Sequence, residues 1–174
     1  MRSASYSSIA DVEAKMAQMY SVLDIGPGIN PSLRWHTGWY MAIEPHWEYA
    51  DRVAKLGYSV MQARAIEALS YVHSVDQILI IDVIEHMDKE EGKEVIRLAV
   101  ERANQRVVVF TPLGFMKQSF AEGQKDPYGL EGQYWQTHRS GWEPEDFPGW
   151  DIGMNEHFHN TGEGAIFAMF NKAH

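Results

Sequence analysis

Apolar and polar positions along this 174-residue chain switch repeatedly between two periods. Short apolar runs, the mark of strands buried on both faces, fall at residues 21–24, 39–44, 58–62, 77–83 and 106–111. The strongest is Gln77-Ile78-Leu79-Ile80-Ile81-Asp82-Val83, and Pro112 halts the fifth. The first two end in an acid, Asp24 and Glu44.

Helical spacing fills the intervals. Ala50, Val53, Ala54 and Leu56 share one face, and Gly57 follows as a stop. Asp88 with Glu91 three residues on reads as a capping pair, opening a helix in which Val95, Ile96, Leu98, Ala99 and Ala103 recur. Strands alternating with helices require right-handed crossovers. They predict an α/β fold with a doubly wound, Rossmann-like, mostly parallel sheet. Two late runs, at 150–154 and 165–170, have no full helix between them and predict a C-terminal antiparallel hairpin that finishes the sheet. No repeat, low-complexity tract or linker interrupts the pattern, so residues 1–174 are expected to form a single domain.

Composition narrows the function. Hydrophobic residues make up 45% and charged residues 22%, an ordinary globular balance. No apolar run reaches the roughly 20 residues that cross a bilayer, and the opening MRSASYSSIADVEAK has no secretory core. The expectation is a cytoplasmic protein without a membrane partner. Cysteine is absent, which excludes disulfides and thiolate metal sites. The net charge of −9 comes without any Lys/Arg cluster, so a nucleic-acid partner is not expected.

The first candidate site is Asp24-Ile25-Gly26-Pro27-Gly28, at the carboxyl end of the first strand, where open parallel sheets bind ligands. Glycine lets the chain turn sharply and a ligand approach the backbone. Asn30-Pro31 then looks like a helix start. The dinucleotide pattern needs a glycine where Pro31 stands. Asp24 would also repel phosphate and suit a cationic ligand group. Glu44, about twenty residues after the turn, can accept both hydroxyls of a ribose.

The stretch Val22-Leu23-Asp24-Ile25-Gly26-Pro27-Gly28 resembles the first motif of the class I S-adenosylmethionine-dependent methyltransferases, with Asn30 in place of a frequent third glycine. The resemblance runs from Ser21 to Phe170 and implies the seven-stranded methyltransferase sheet with S-adenosyl-L-methionine as cofactor. It implies that Asp24, Gly26, Pro27 and Gly28 hold the methionine part and Glu44 the ribose, with Pro45 and His46 bordering the adenine. Arg64 stands where the family often has an acid for the adenine amino group. Arginine has no acceptor, so adenine recognition falls to the backbone near Ala65 and to Ile66.

Asp82-Val83-Ile84-Glu85-His86 resembles the family's fourth motif, which implies that Asp82 and Val83 lie beside the cofactor. Glu85 and His86 are the catalytic candidates. His86 can serve as a general base, can cap local structure, or can join Asp82 and Glu85 around a divalent cation. Small-RNA 2′-O-methyltransferases and ubiquinone O-methyltransferases carry a similar stretch with a metal. Here the first acid is the shorter Asp82 and no second His-rich partner is near in sequence. No metal is therefore assigned.

Residues 112–142 predict a long loop, and loops of that length are usually functional or disordered. Its GLEGQYWQTHRSGW stretch is rich in aromatic and polar side chains. It resembles the Gln-x-His-x-Ser-x-Trp stretch of many methyltransferase-like proteins. Gln136, His138, Arg139 and Trp142 are expected at the acceptor, with His138 also a catalytic candidate; the alternative is a surface loop whose Trp135 and Trp142 cover the sheet. His157, Phe158 and His159 are further neighbours to look for. The expected function is methyl transfer to a small polar acceptor by in-line displacement, helped chiefly by positioning. The alternatives are a cofactor-binding domain without transfer activity and a metal-assisted O-methyltransferase. A homo-oligomer would allow another subunit to complete the acceptor pocket.

Overall fold

The computed structural model describes residues 19–33, 38–159 and 162–172. Seven strands form one sheet: β1 (Ser21–Ile25), β2 (Trp39–Ile43), β3 (Ser59–Met61), β4 (Val75–Ile81), β5 (Ala103–Pro112), β6 (Asp151–Asn155) and β7 (Ala165–Asn171). Their order is β3-β2-β1-β4-β5-β7-β6. The first five are parallel, and β7 inserts antiparallel between β5 and β6. This is the doubly wound sheet with an antiparallel hairpin that the sequence predicts.

Side-chain alternation divides the core between the two faces. Ile78 and Ile80 of β4 belong to one cluster, closed by α2 (Ala65–Tyr71) and α3 (Lys89–Arg102). Leu79 belongs to the other, which includes Val53 of α1 (Trp47–Lys55). Both faces of β4 are buried, the physical reason for its unbroken apolar run. The switch between β1 and β4 leaves a crevice at their carboxyl ends, where β1 turns toward β2 and β4 toward β5.

The strand ends differ in detail from the sequence pattern. β4 stops at Ile81 because Asp82 has φ 52, a left-handed conformation that a strand cannot contain. β5 starts at Ala103, expected on a helix face, because the backbone turns extended there and pairs with Val75. Gly57 ends α1 as expected, with φ 93 and its amide on the Ala54 carbonyl at 2.9 Å. The Asp88–Glu91 capping pair does not form: Asp88 sits at the N-cap of α3 without a side-chain hydrogen bond, and Glu91 turns to Arg64. Residues 30–33 are not helical, and the continuation of the helix expected from Asn30 lies at 34–37, outside the described residues.

Candidate functional site

A pocket with about 790 Å³ of empty space, partly open to solvent, lies over the carboxyl ends of the parallel strands. Gly26 and Gly28 line it from the turn after β1, Glu44 and Pro45 from the end of β2. Arg64 and Ala65 line it from the β3–α2 junction, and Asp82, Val83, His86 and Met87 from the segment after β4. Tyr134, Trp135, Gln136 and Arg139 close it from the long loop.

The turn explains its own glycine. Gly26 has φ 64, donates its amide to the Ile43 carbonyl at 2.7 Å, and would set a Cβ 2.9 Å from Val83 Cγ2. Any side chain here is strained and collides with the pocket wall. Glu44 holds the next part of the turn. One carboxylate oxygen accepts the Gly28 N–H at 3.1 Å and the other the His46 N–H at 2.9 Å. Each oxygen keeps a lone pair for a ligand hydroxyl. Burial pushes the Glu44 carboxyl up to about 7, against the lowering effect of these two amides.

Asp24 is placed differently from its expected role. It is fully buried and does not line the pocket; its oxygens accept the Ser32 N–H at 2.7 Å, the Ser32 hydroxyl at 2.8 Å and the Tyr40 hydroxyl. Its carboxyl, pushed up to about 6 by burial, ties the glycine turn to β2. Pro27, His46, Ile66, Glu85 and His138 also stand outside the pocket lining, the last two behind His86.

The segment after β4 is clasped by the far end of the long loop. Arg139 and Ser140 donate their amides to the Glu85 carbonyl at 2.7 and 3.2 Å, and the Ser140 hydroxyl reaches the Ile84 carbonyl at 3.0 Å. The Arg139 guanidinium bonds the carbonyls of His86, Thr137 and Tyr134. His138 thereby reaches His86, with ring centroids 4.8 Å apart. The ligand atoms of Glu85, His86 and His138 lie within 4.8 Å of one another. The second histidine that the sequence lacked nearby arrives from about fifty residues away. His86 Nδ1 faces the Thr137 carbonyl at 3.4 Å and His138 Nδ1 the Met116 carbonyl at 2.7 Å. Each contact favours a protonated Nδ1 and leaves Nε2 as the acceptor.

Electrostatics follow from desolvation. Burial lowers His86 to about 4, assisted by His138, and lowers His138 as well. Asp82 opens onto the pocket yet is surrounded by protein, and desolvation raises it to about 6. Glu85, buried and hydrogen-bonded by the Thr111 hydroxyl at 3.0 Å, is raised well above its ordinary value by burial and then by Asp82. Neutral imidazoles suit cation ligation; at neutral pH His86 is in its proton-accepting form, and burial makes it a weaker base than a free imidazole.

Trp142 does not line the pocket. Expected at the acceptor, it is instead 0% exposed. Its indole lies under α3, where a Cβ on Gly92 would come within 2.5 Å of Cζ2, and Lys89 Nζ stands 3.9 Å above the ring. Aromatic density in a loop does not separate a ligand wall from a core plug; the glycine inside α3 was the available signal. Of the 157–159 run, no residue lines the pocket, and Phe158 packs edge-on against Phe110 at 5.1 Å. Met87, Tyr134 and Glu91 line the pocket without a signal in the sequence, because a helix first turn and a loop carry no distinctive spacing.

No family model and no curated protein matches the sequence. Solved structures do. Magnesium protoporphyrin IX methyltransferase (ChlM) from Synechocystis PCC 6803 with bound SAH aligns with a TM-score of 0.65 at 14% identity, over 95% of this chain and 82% of that one. The chain has the class I S-adenosylmethionine-dependent methyltransferase fold. A SAM-dependent methyltransferase from Archaeoglobus fulgidus shares this fold at TM-score 0.64 and 16% identity, covering 95% of each chain. The N-methyltransferase NodS from Bradyrhizobium japonicum WM9 does so at 0.63 and 13%, over 95% and 93%. Among the described residues no helix is long and apolar enough to cross a membrane.

Proposed function

We propose that the protein is an S-adenosylmethionine-dependent methyltransferase acting on a small polar acceptor. One observation carries the reading: the glycine turn, the Glu44 carboxylate and the Asp82–His86 segment line a single pocket at the switch between β1 and β4. The residues fit the cofactor. Gly26 leaves the turn open to backbone contact, Glu44 keeps two oxygens for ribose hydroxyls, and Ala65 and Met87 offer an apolar slot for the base. When bound, the cofactor supplies a methyl group on an electrophilic sulfonium. The solved neighbours crystallised with SAM or SAH support the same occupant.

The chain's own contribution is positioning and proton acceptance. Gln136 and Arg139 overhang the pocket from the loop, Arg139 held by three backbone carbonyls. His86 faces the pocket with Nε2 as its free acceptor, placed to take the proton of an acceptor hydroxyl or amine. His138, packed on His86, holds that ring in place. Labelled methyl transfer from S-adenosylmethionine to a panel of hydroxyl and amine acceptors is the test. Loss of transfer in His86→Ala and His138→Ala with S-adenosylhomocysteine binding retained supports the enzyme. Binding without transfer to any acceptor favours a cofactor-binding domain alone.

A second reading, divalent-cation-assisted O-methylation, is favoured by the Glu85, His86 and His138 cluster. The donor set fits such an ion, because both histidines present Nε2 and turn Nδ1 to backbone carbonyls. A cation held there would act as a Lewis acid on an acceptor oxygen. Transfer that persists unchanged after chelation excludes this reading. Mn²⁺ binding lost in His138→Ala supports it.

A further inference from the structure

Arg64 stands at the N-cap of α2 and lines the end of the pocket where Ala65 and Met87 offer an apolar slot. That arginine does not point away from the pocket. Its Nη2 binds Glu91 Oε1 at 2.7 Å, and both residues line the cavity beside Ala65 and Met87. The pair joins two elements distant in sequence, the N-cap of α2 and the first turn of α3. Its contribution to stability is small, since the arginine side chain is 55% exposed and surface ion pairs add little. Glu91 also gives up the capping role that its spacing from Asp88 offered. A first-turn carboxylate that faces a cavity beside a guanidinium is placed to read a ligand.

The chemistry is specific. The Watson–Crick edge of adenine carries a donor, the exocyclic amino group, next to an acceptor, the ring N1. A carboxylate beside a guanidinium presents the complement, an acceptor next to a donor. Hypoxanthine, with a 6-oxo group and N1–H, presents these in reversed order. We propose that the Arg64–Glu91 pair reads the base of the cofactor, Glu91 accepting from the 6-amino group and Arg64 donating to N1. This rests on the pocket being an S-adenosylmethionine site.

Calorimetric titration with three ligands tests it: S-adenosylhomocysteine, its 6-oxo analogue S-inosylhomocysteine, and base-free S-ribosylhomocysteine. The wild-type chain should prefer the adenine ligand over the 6-oxo analogue by about tenfold or more, the effect of one to two hydrogen bonds. Glu91→Ala and Arg64→Ala should each erase most of that preference and leave S-ribosylhomocysteine affinity unchanged. Adenine and 6-oxo ligands binding equally to wild type overturns the proposal. So does a Glu91→Ala loss that is equal for all three ligands. If wild type binds S-adenosylhomocysteine but shows no such preference, only the base-reading inference falls. If it binds none of the three, the cofactor reading falls with it.

Discussion

Glu44 is 3% exposed, and a carboxylate so buried must be matched by donors. The Gly28 and His46 amides are two of them, and ribose hydroxyls would add more. With its carboxyl raised to about 7 by burial, the acceptor form is only partly present near neutrality. S-adenosylhomocysteine affinity should therefore rise between pH 6 and pH 8, and Glu44→Gln should flatten that slope and weaken binding by about tenfold. A flat wild-type profile would contradict the ribose role. Trp142 makes a prediction of the opposite kind. Trp142→Ala leaves a cavity between α3 and Phe147 and should cost about 3–5 kcal/mol in urea unfolding. Gly92→Ala should also destabilise, because the rigid indole cannot yield.

The elements were more legible than their contacts. β1, β2, β4 and β5 declare themselves because a parallel strand buried on both faces has no polar side to confuse the pattern. Their ends move by a few residues where backbone conformation, not hydropathy, decides, as at Asp82 and Ala103. Gly26, Gly28, Glu44, Asp82 and His86 were legible because topology alone sends strand ends to the crevice. The joining of His138 to His86, and of Arg64 to Glu91, was not, since each spans a tertiary contact with no sequence period. Within the loop, QTHRSGW divides by depth: Gln136 and Arg139 line the pocket, Ser140 clasps Ile84, and Trp142 fills the core. Farther back, Asp126 accepts amides from Tyr128, Leu130 and Gly132 and the Tyr49 hydroxyl at 2.5 Å, bracing the same loop on α1. Arg139→Ala removes the clasp on Tyr134, Thr137 and His86. Amide exchange over 134–142 should then speed up by about tenfold or more, and methyl transfer should fall with it. Unchanged exchange would show that Ser140 and Trp142 suffice.

At the scale of the molecule, the net charge of −9 coexists with carboxyls buried inside the protein, Glu44 at the crevice and Asp24 behind it. Asp24 and Glu44 are raised by desolvation to about 6 and about 7. For an acid raised on folding, the native state holds a proton that the unfolded chain has released. Stability is then greatest below the unfolded values near 4 and is lost as pH rises through the folded ones. Each group lowers neutral-pH stability by about 3 kcal/mol. His86 and His138, lowered by burial, act in the opposite sense, so the test is a comparison. Asp24→Asn should lose part of the fall in urea midpoint that wild type shows between pH 5.5 and pH 8, and an unchanged fall would show that Asp24 is not desolvated.

That the crevice takes S-adenosylmethionine is tested most directly by calorimetric titration of the full chain with S-adenosylhomocysteine at pH 8. One site should fill with micromolar affinity, and Glu44→Ala should weaken it by about tenfold or more. No heat of binding at millimolar ligand, or equal affinity in Glu44→Ala, would contradict it.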